Sequence, residues 1–149
     1  MDLLRGEGVT FPSLLVTKKA LEKIGFLDEN IVAFQEWDTA IRLASYFKFG
    51  FVERPTFIWN YGTENSISKR RLDQVKGYRQ IVHKNLVPIF MNCSPGVLGR
   101  HCSNISQLYN KAGKKNGAFC YSLFAKVLNY LDPEWILRIA RRHLRKKRL

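Results

Sequence analysis

The stretch Phe34-Gln35-Glu36-Trp37-Asp38-Thr39-Ala40-Ile41-Arg42-Leu43 gathers two carboxylates, an amide, an indole and a guanidinium. A carboxylate held in place can accept a proton as a general base, an effect typically worth about 10²–10⁴ in rate. Such work needs a rigid support, and a helical pattern begins here. Trp37, Ala40, Ile41 and Ala44 follow the i, i+3, i+4, i+7 spacing of one apolar face. Glu36 then lies in the first turn, where free N–H groups and the helix dipole favour a negative charge. Asp38 and Arg42 are four apart and can pair along the helix surface. Read in isolation, the stretch is more simply a charged helix start carrying one surface ion pair. The surrounding chain decides between these readings.

The chain has 149 residues, enough for one domain or a small domain with an appendage. Apolar residues make up 46% of it, so a core can form. No run of eighteen apolar residues and no charged-then-apolar leader occurs, so neither a transmembrane helix nor a signal peptide is expected. Cys93, Cys102 and Cys120 are odd in number and lack C-x-x-C spacing, which argues against a disulfide framework or a zinc site and fits a reducing cytoplasm. His83, His101 and His143 are too scattered to suggest a metal cluster and read as surface or half-buried histidines. The net charge of +13 is uneven: residues 95–149 carry twelve Lys/Arg against two acids, residues 1–94 thirteen against ten.

Residues 1–10 read as an irregular lead-in. Phe11-Pro12-Ser13-Leu14-Leu15-Val16 suits a buried strand with proline at its start. Thr17 is placed to cap a helix from Lys18 to Ile24, stopped by Gly25. The helix of the opening stretch is expected to reach about Phe47, with Gly50 behind it. Phe49 to Glu53 and Thr56 to Tyr61 read as short strands. A long helix is expected from Lys69, capped by Ser68, to about Phe90, ended early or bent by Pro88. Ser94-Pro95 opens a helix to Ala112, Gly113 turns the chain, a second helix runs from about Asn116 to Leu131, and Asp132-Pro133 opens a third. This last layout is that of a helical hairpin like a tetratricopeptide repeat, in a single copy.

Four segments taken in order resemble the C-terminal half of a family 2 glycosyltransferase with the GT-A fold. Pro12-Ser13-Leu14-Leu15-Val16-Thr17-Lys18-Lys19-Ala20-Leu21 is similar to that family's serine-containing strand and following helix. Ile24-Gly25-Phe26-Leu27-Asp28-Glu29 is similar to its G-x-F-D-E turn. Gln35-Glu36-Trp37-Asp38 with Ile41-Arg42-Leu43-Ala44 is similar to its E-D-W-D-L…R-L-A helix. Pro55-Thr56-Phe57-Ile58-Trp59-Asn60-Tyr61 with Ser66-Ile67-Ser68 is similar to its P-L…Y-R…S-I-S segment.

The resemblance implies an α/β architecture over residues 1–93, the acceptor side of a GT-A domain, followed by a basic helical extension over 94–149, with helix predominating overall. It implies an inverting sugar transfer from a nucleotide sugar to a glycan or lipid-linked acceptor, in bacterial surface polysaccharide synthesis. Glu36 stands where the family's base is usually an aspartate, and Asp38 is the second candidate, or else orders the loop and pairs with Arg42. Gln35, Trp37, Arg42, Ser13, Ser66 and Ser68 are implied at the substrate, with Trp37 either stacking on a sugar or forming core. Gly62 occupies the position comparable to a histidine metal ligand of some GT-A enzymes.

No D-x-D precedes Gln35, so the family's donor-binding half, with its Mn or Mg ion, is expected outside this chain, which alone is expected to be inactive. A homodimer through the surface around Phe11–Val16 or Phe57–Tyr61 is expected, as is peripheral contact of the basic helix 133–149 with the inner face of the plasma membrane. The alternative is a basic binding module without catalysis. Nucleic acid is the lesser candidate there, because no RNP, KH or zinc-finger signature accompanies the charge.

Overall fold

In the computed structural model, residues 2–6, 13–58 and 70–133 are described. The chain is mostly helical. A 3-10 turn at Asp2–Arg5 precedes six α-helices among the described residues. These are α1 (Lys18–Lys23), α2 (Gln35–Ala44), α3 (Arg71–Lys84), α4 (Leu86–Asn92), α5 (Pro95–Lys111) and α6 (Lys115–Tyr130).

The ends of these helices follow local chemistry. Thr17 Oγ1 accepts from the N–H of Ala20 and starts α1. At the far end the Phe26 N–H bonds the Leu21 carbonyl and the Gly25 N–H that of Glu22, with Gly25 at φ +72°. That is a Schellman closure, which needs a left-handed residue at the glycine. The helix expected from Lys69 to Phe90 is split at Asn85 into α3 and α4. Pro88 offers no N–H to Lys84 and its ring crowds that carbonyl. Asn85 Nδ2 turns back to the Ile81 carbonyl at 2.9 Å. The Ser68 cap and the helix expected beyond Pro133 lie outside the described residues.

Over the described residues the expected strands are not formed. Residues 14–17 and 47–58 carry no ladder, and no strand occurs among the described residues, so the α/β part of the expected architecture is not seen. A strand exists only through a partner's N–H and C=O groups, and no described segment supplies one. The apolar runs remain in solvent instead: Leu15, Phe51 and Ile58 are 103%, 87% and 90% exposed. Residues 11, 12 and 59–61 of those runs lie outside the described set.

The core is helical and draws on both sides of Ser94. Ile31, Trp37, Tyr78, Ile81, Val97 and Ile105 belong to one buried cluster. α5 and α6 form a hairpin across residues 112–114, with Gly113 at φ +71° in the turn. Small residues let the hairpin close tightly: a Cβ on Gly117 would sit 2.8 Å from the Tyr109 ring, and one on Gly99 2.5 Å from Asn129 Oδ1. Ser106 Oγ donates to the Ala118 carbonyl at 2.7 Å. The open end is fastened by Asp132, which is buried and accepts from Ser94 Oγ at 3.3 Å. Its carboxylate sits beside Gly96 in the first turn of α5, where the helix dipole favours a negative charge.

Gly77 brings α3 against the segment before α2. A Cβ there would lie 2.5 Å from the Ala33 carbonyl oxygen and 2.8 Å from its nitrogen. Gly77→Ala gains about 1 kcal/mol of helix propensity, but the backbone it meets cannot rotate away. We expect a net loss of about 1–3 kcal/mol, read as a lower denaturant midpoint. Gly50→Ala, into open space, should stay within about 0.5 kcal/mol of the native chain.

Candidate functional site

Glu36 is half-buried in the first turn of α2 and has no charged partner among the described residues. The helix is entered through Phe34 at φ +62°, a left-handed conformation that a phenylalanine adopts only under constraint. Gln35 is half-buried beside it. Ser13 is exposed on the segment before α1, and Ser66 and Ser68 lie outside the described residues.

Asp38 is in a different setting. It pairs with Arg42 as its spacing suggested, but in the interior and not on the surface, since it is only 1% exposed. Arg42 Nε donates to Oδ2 at 2.8 Å. Lys84 Nζ lies 2.9 Å from Oδ1, a charge contact without hydrogen-bonding alignment. The network goes further. Arg42 Nη1 donates to the carbonyls of Ile24 and Phe26, both at 2.7 Å. Lys84 also donates to Asp28 Oδ2 at 2.7 Å. Two cations thus tie the turn at residues 24–28 to α2 and α3.

Hydrogen bonding from Lys84, then from the Asn30 backbone, holds the Asp28 carboxyl below its usual range. That contribution to stability is present above the ordinary aspartate value and fades as pH falls through the lowered one. Partial burial alone would depress Lys84, but the two carboxylates outweigh it and raise its pKa. Its contribution therefore holds at neutral pH and is lost only in strong alkali, above the ordinary lysine range.

Trp37 is core. Its Nε1–H donates to the Leu3 carbonyl at 2.7 Å, and its ring lies 5.0 Å from that of Tyr78 and 5.7 Å from that of His101, centroid to centroid. His101, read from the sequence as surface or half-buried, is fully enclosed. Its Nε2 lies 2.8 Å from the Leu4 carbonyl, which can only accept, so Nε2 carries the proton. Nδ1 then accepts from Tyr78 Oη at 3.0 Å, and Tyr78 Oη accepts from Asn104 Nδ2 at 2.9 Å. The neutral imidazole completes this chain, and the imidazolium would break it.

Burial holds the His101 pKa below the ordinary histidine value, the nearby Arg100 charge acting in the same direction and the Leu4 bond opposing it. A histidine kept neutral in the fold stabilises above its unfolded pKa and costs stability as pH falls below it. The melting temperature should therefore drop between pH 7 and pH 5, with a limiting slope of about 1.4 kcal/mol per pH unit. His101→Gln should be less stable at pH 7 but lack most of that slope; parallel curves for the two proteins would contradict the assignment.

The sequence did hold a signal for His101: Val97, His101 and Ile105 repeat at i, i+4, i+8 on the core face of α5. No local signal marks Lys84, whose partners lie far away in the chain. Among the described residues, no three His, Cys, Asp or Glu side chains gather as a metal site, and no helix is long and apolar enough to cross a membrane. Comparisons with protein-family models, curated proteins and solved structures find no match.

Proposed function

We propose that this chain is the acceptor-side part of an inverting glycosyltransferase of the GT-A type, with Glu36 as the base that takes the acceptor hydroxyl's proton. One observation carries the reading. The salt-bridge network joins two of the four resembling segments, the turn at residues 24–28 and the start of α2, and it occupies Asp38. Glu36 is left as the carboxylate of its stretch without a cation on it among the described residues. A base needs a free lone pair and a rigid support, and Glu36 has no cation on it among the described residues and stands on the first turn of α2.

Nucleotide sugar, diphosphate and a Mn or Mg ion are assigned to a donor-binding half that supplies the D-x-D. The acceptor is a glycan or a lipid-linked sugar, and the working location is the cytoplasm or the inner face of the plasma membrane. The test is sugar transfer from nucleotide sugars by this chain alone and joined to a D-x-D-bearing GT-A half. Transfer only in the joined protein is expected. Transfer that persists when the whole region 13–58 is replaced by an unrelated linker would end the reading.

A second reading, an interaction module, is favoured by the apolar side chains on the extended segments. Leu15 and Phe51 line one open concavity of about 950 Å³ with Phe47 and Phe57. Burying a few hundred Å² of such surface contributes several kcal/mol at roughly 25 cal/mol per Å². We expect a twofold dimer through this face. Light scattering at tens of micromolar checks it: Leu15→Asp with Phe51→Asp should return the monomer, and a monomeric native chain would dismiss the dimer.

A further inference from the structure

α3 and α6 both pack on α5 and scarcely touch each other. Between them runs a trough of about 670 Å³. Its floor is Leu98, Cys102 and Ile105, one stripe of α5 at i, i+4, i+7. The α6 wall is apolar, presenting Phe124 and Val127, which are 61% and 52% exposed. The α3 wall is basic along its edge, where Lys76, Arg79 and His83 recur at helical spacing. One end is closed by Arg79, which donates to Tyr109 Oη at 2.8 Å and lies over the Tyr121 ring.

Among the described residues no acidic side chain lines the trough. Between Asp73 and Asp132 the chain has eight Lys or Arg and no acid at all. Lys76 has no carboxylate partner among the described residues. One wall therefore offers hydrocarbon and the other uncompensated positive charge.

We propose that this trough binds the single hydrocarbon chain of an anionic amphiphile, with the head group at Lys76 and Arg79. The volume falls within the range of small-molecule sites, about 300–1,000 Å³. Removing the chain from water supplies the affinity, and the basic edge fixes polarity and direction. The proposal rests on the helical trough alone and is independent of the sugar-transfer reading.

The test uses the full chain and hexadecyl phosphate below its micellar concentration, with binding followed by calorimetry. Hexadecyl phosphate should bind at least tenfold more tightly than hexadecyltrimethylammonium, which has the same chain and the opposite charge. Excess inorganic phosphate should not displace it. Lys76→Glu, at an exposed position, should reduce the preference between the two probes at least fivefold. Cys102→Trp, which fills the floor, should weaken hexadecyl phosphate at least tenfold, with melting curves checking that the variant folds. Equal binding of the two probes would overturn the proposal, as would displacement by inorganic phosphate. So would full affinity in a folded Cys102→Trp, which would place the binding elsewhere. An acidic amphipathic peptide that binds the trough where hexadecyl phosphate does not would make it a protein groove instead.

Discussion

Glu36→Gln lowers sugar transfer by two or more orders of magnitude in the protein joined to its donor half, while melting stays within about 0.5 kcal/mol of the native value. The amide preserves size and hydrogen-bonding reach but cannot accept the proton. The second half of the expectation follows from the structure: no ion pair or hydrogen bond of the described residues depends on Glu36. Steady-state turnover with both halves present is the measurement. A base that acts only as the hydroxyl attacks should show its loss chiefly in kcat, with KM little changed. Near-native turnover in Glu36→Gln would remove it from the chemistry.

Asp38→Ala acts in the opposite way, on the fold first. Asp38 is enclosed and is held by Arg42 and Lys84. Deleting the carboxylate leaves Arg42, whose side chain is 20% exposed, without its counter-charge. Removing one partner of a buried pair costs about 3–5 kcal/mol, against a total stability of about 5–15 kcal/mol for a domain of ordinary size. We expect a chain that is largely unfolded or aggregated at 37 °C, assessed by denaturant titration at 25 °C. Lys84→Met should cost much less, because Lys84 is 39% exposed and Asp38 keeps Arg42. Any loss of turnover in Asp38 variants is therefore to be read only after the folded fraction has been measured. A native-like midpoint for Asp38→Ala would show that the network carries little energy.

The helices were legible where their ends carry local instructions. Thr17 with Gly25, Pro95 after Ser94, and Gly113 each fix a boundary within a few residues, because capping and turn conformations depend on neighbours in sequence. The strands were misread for a physical reason. Leu14-Leu15-Val16 and Phe49-Gly50-Phe51-Val52 have the composition of buried strands, but composition does not supply a ladder, and the described chain holds no partner segment. The apolar face of α2 was placed correctly at Trp37 and Ala40 but drawn too narrow, since Leu43 and Asp38 are buried and Ala44 is exposed. Asp38 looked like a surface residue because its second cation lies on α3. Gln80, which donates to the Asn30 carbonyl at 2.9 Å and accepts from the Val32 N–H at 3.4 Å, was hidden in the same way.

The clasp between His101 and the Leu4 carbonyl joins groups 97 positions apart. At about 5–20 residues per second of synthesis, roughly 5–20 s separate the emergence of the two from the ribosome. Trp37 meets a similar delay, because Tyr78 and His101 must follow it out. During those seconds the nascent N-terminal part shows an indole and a row of apolar side chains with nothing to cover them, which is the kind of surface that chaperones bind. The α5–α6 hairpin, whose contacts are local, can form within microseconds to milliseconds once released. Translation slowed ahead of residue 101 would lengthen the exposed interval, and we expect the solubility of the newly made chain to respond to codon usage there.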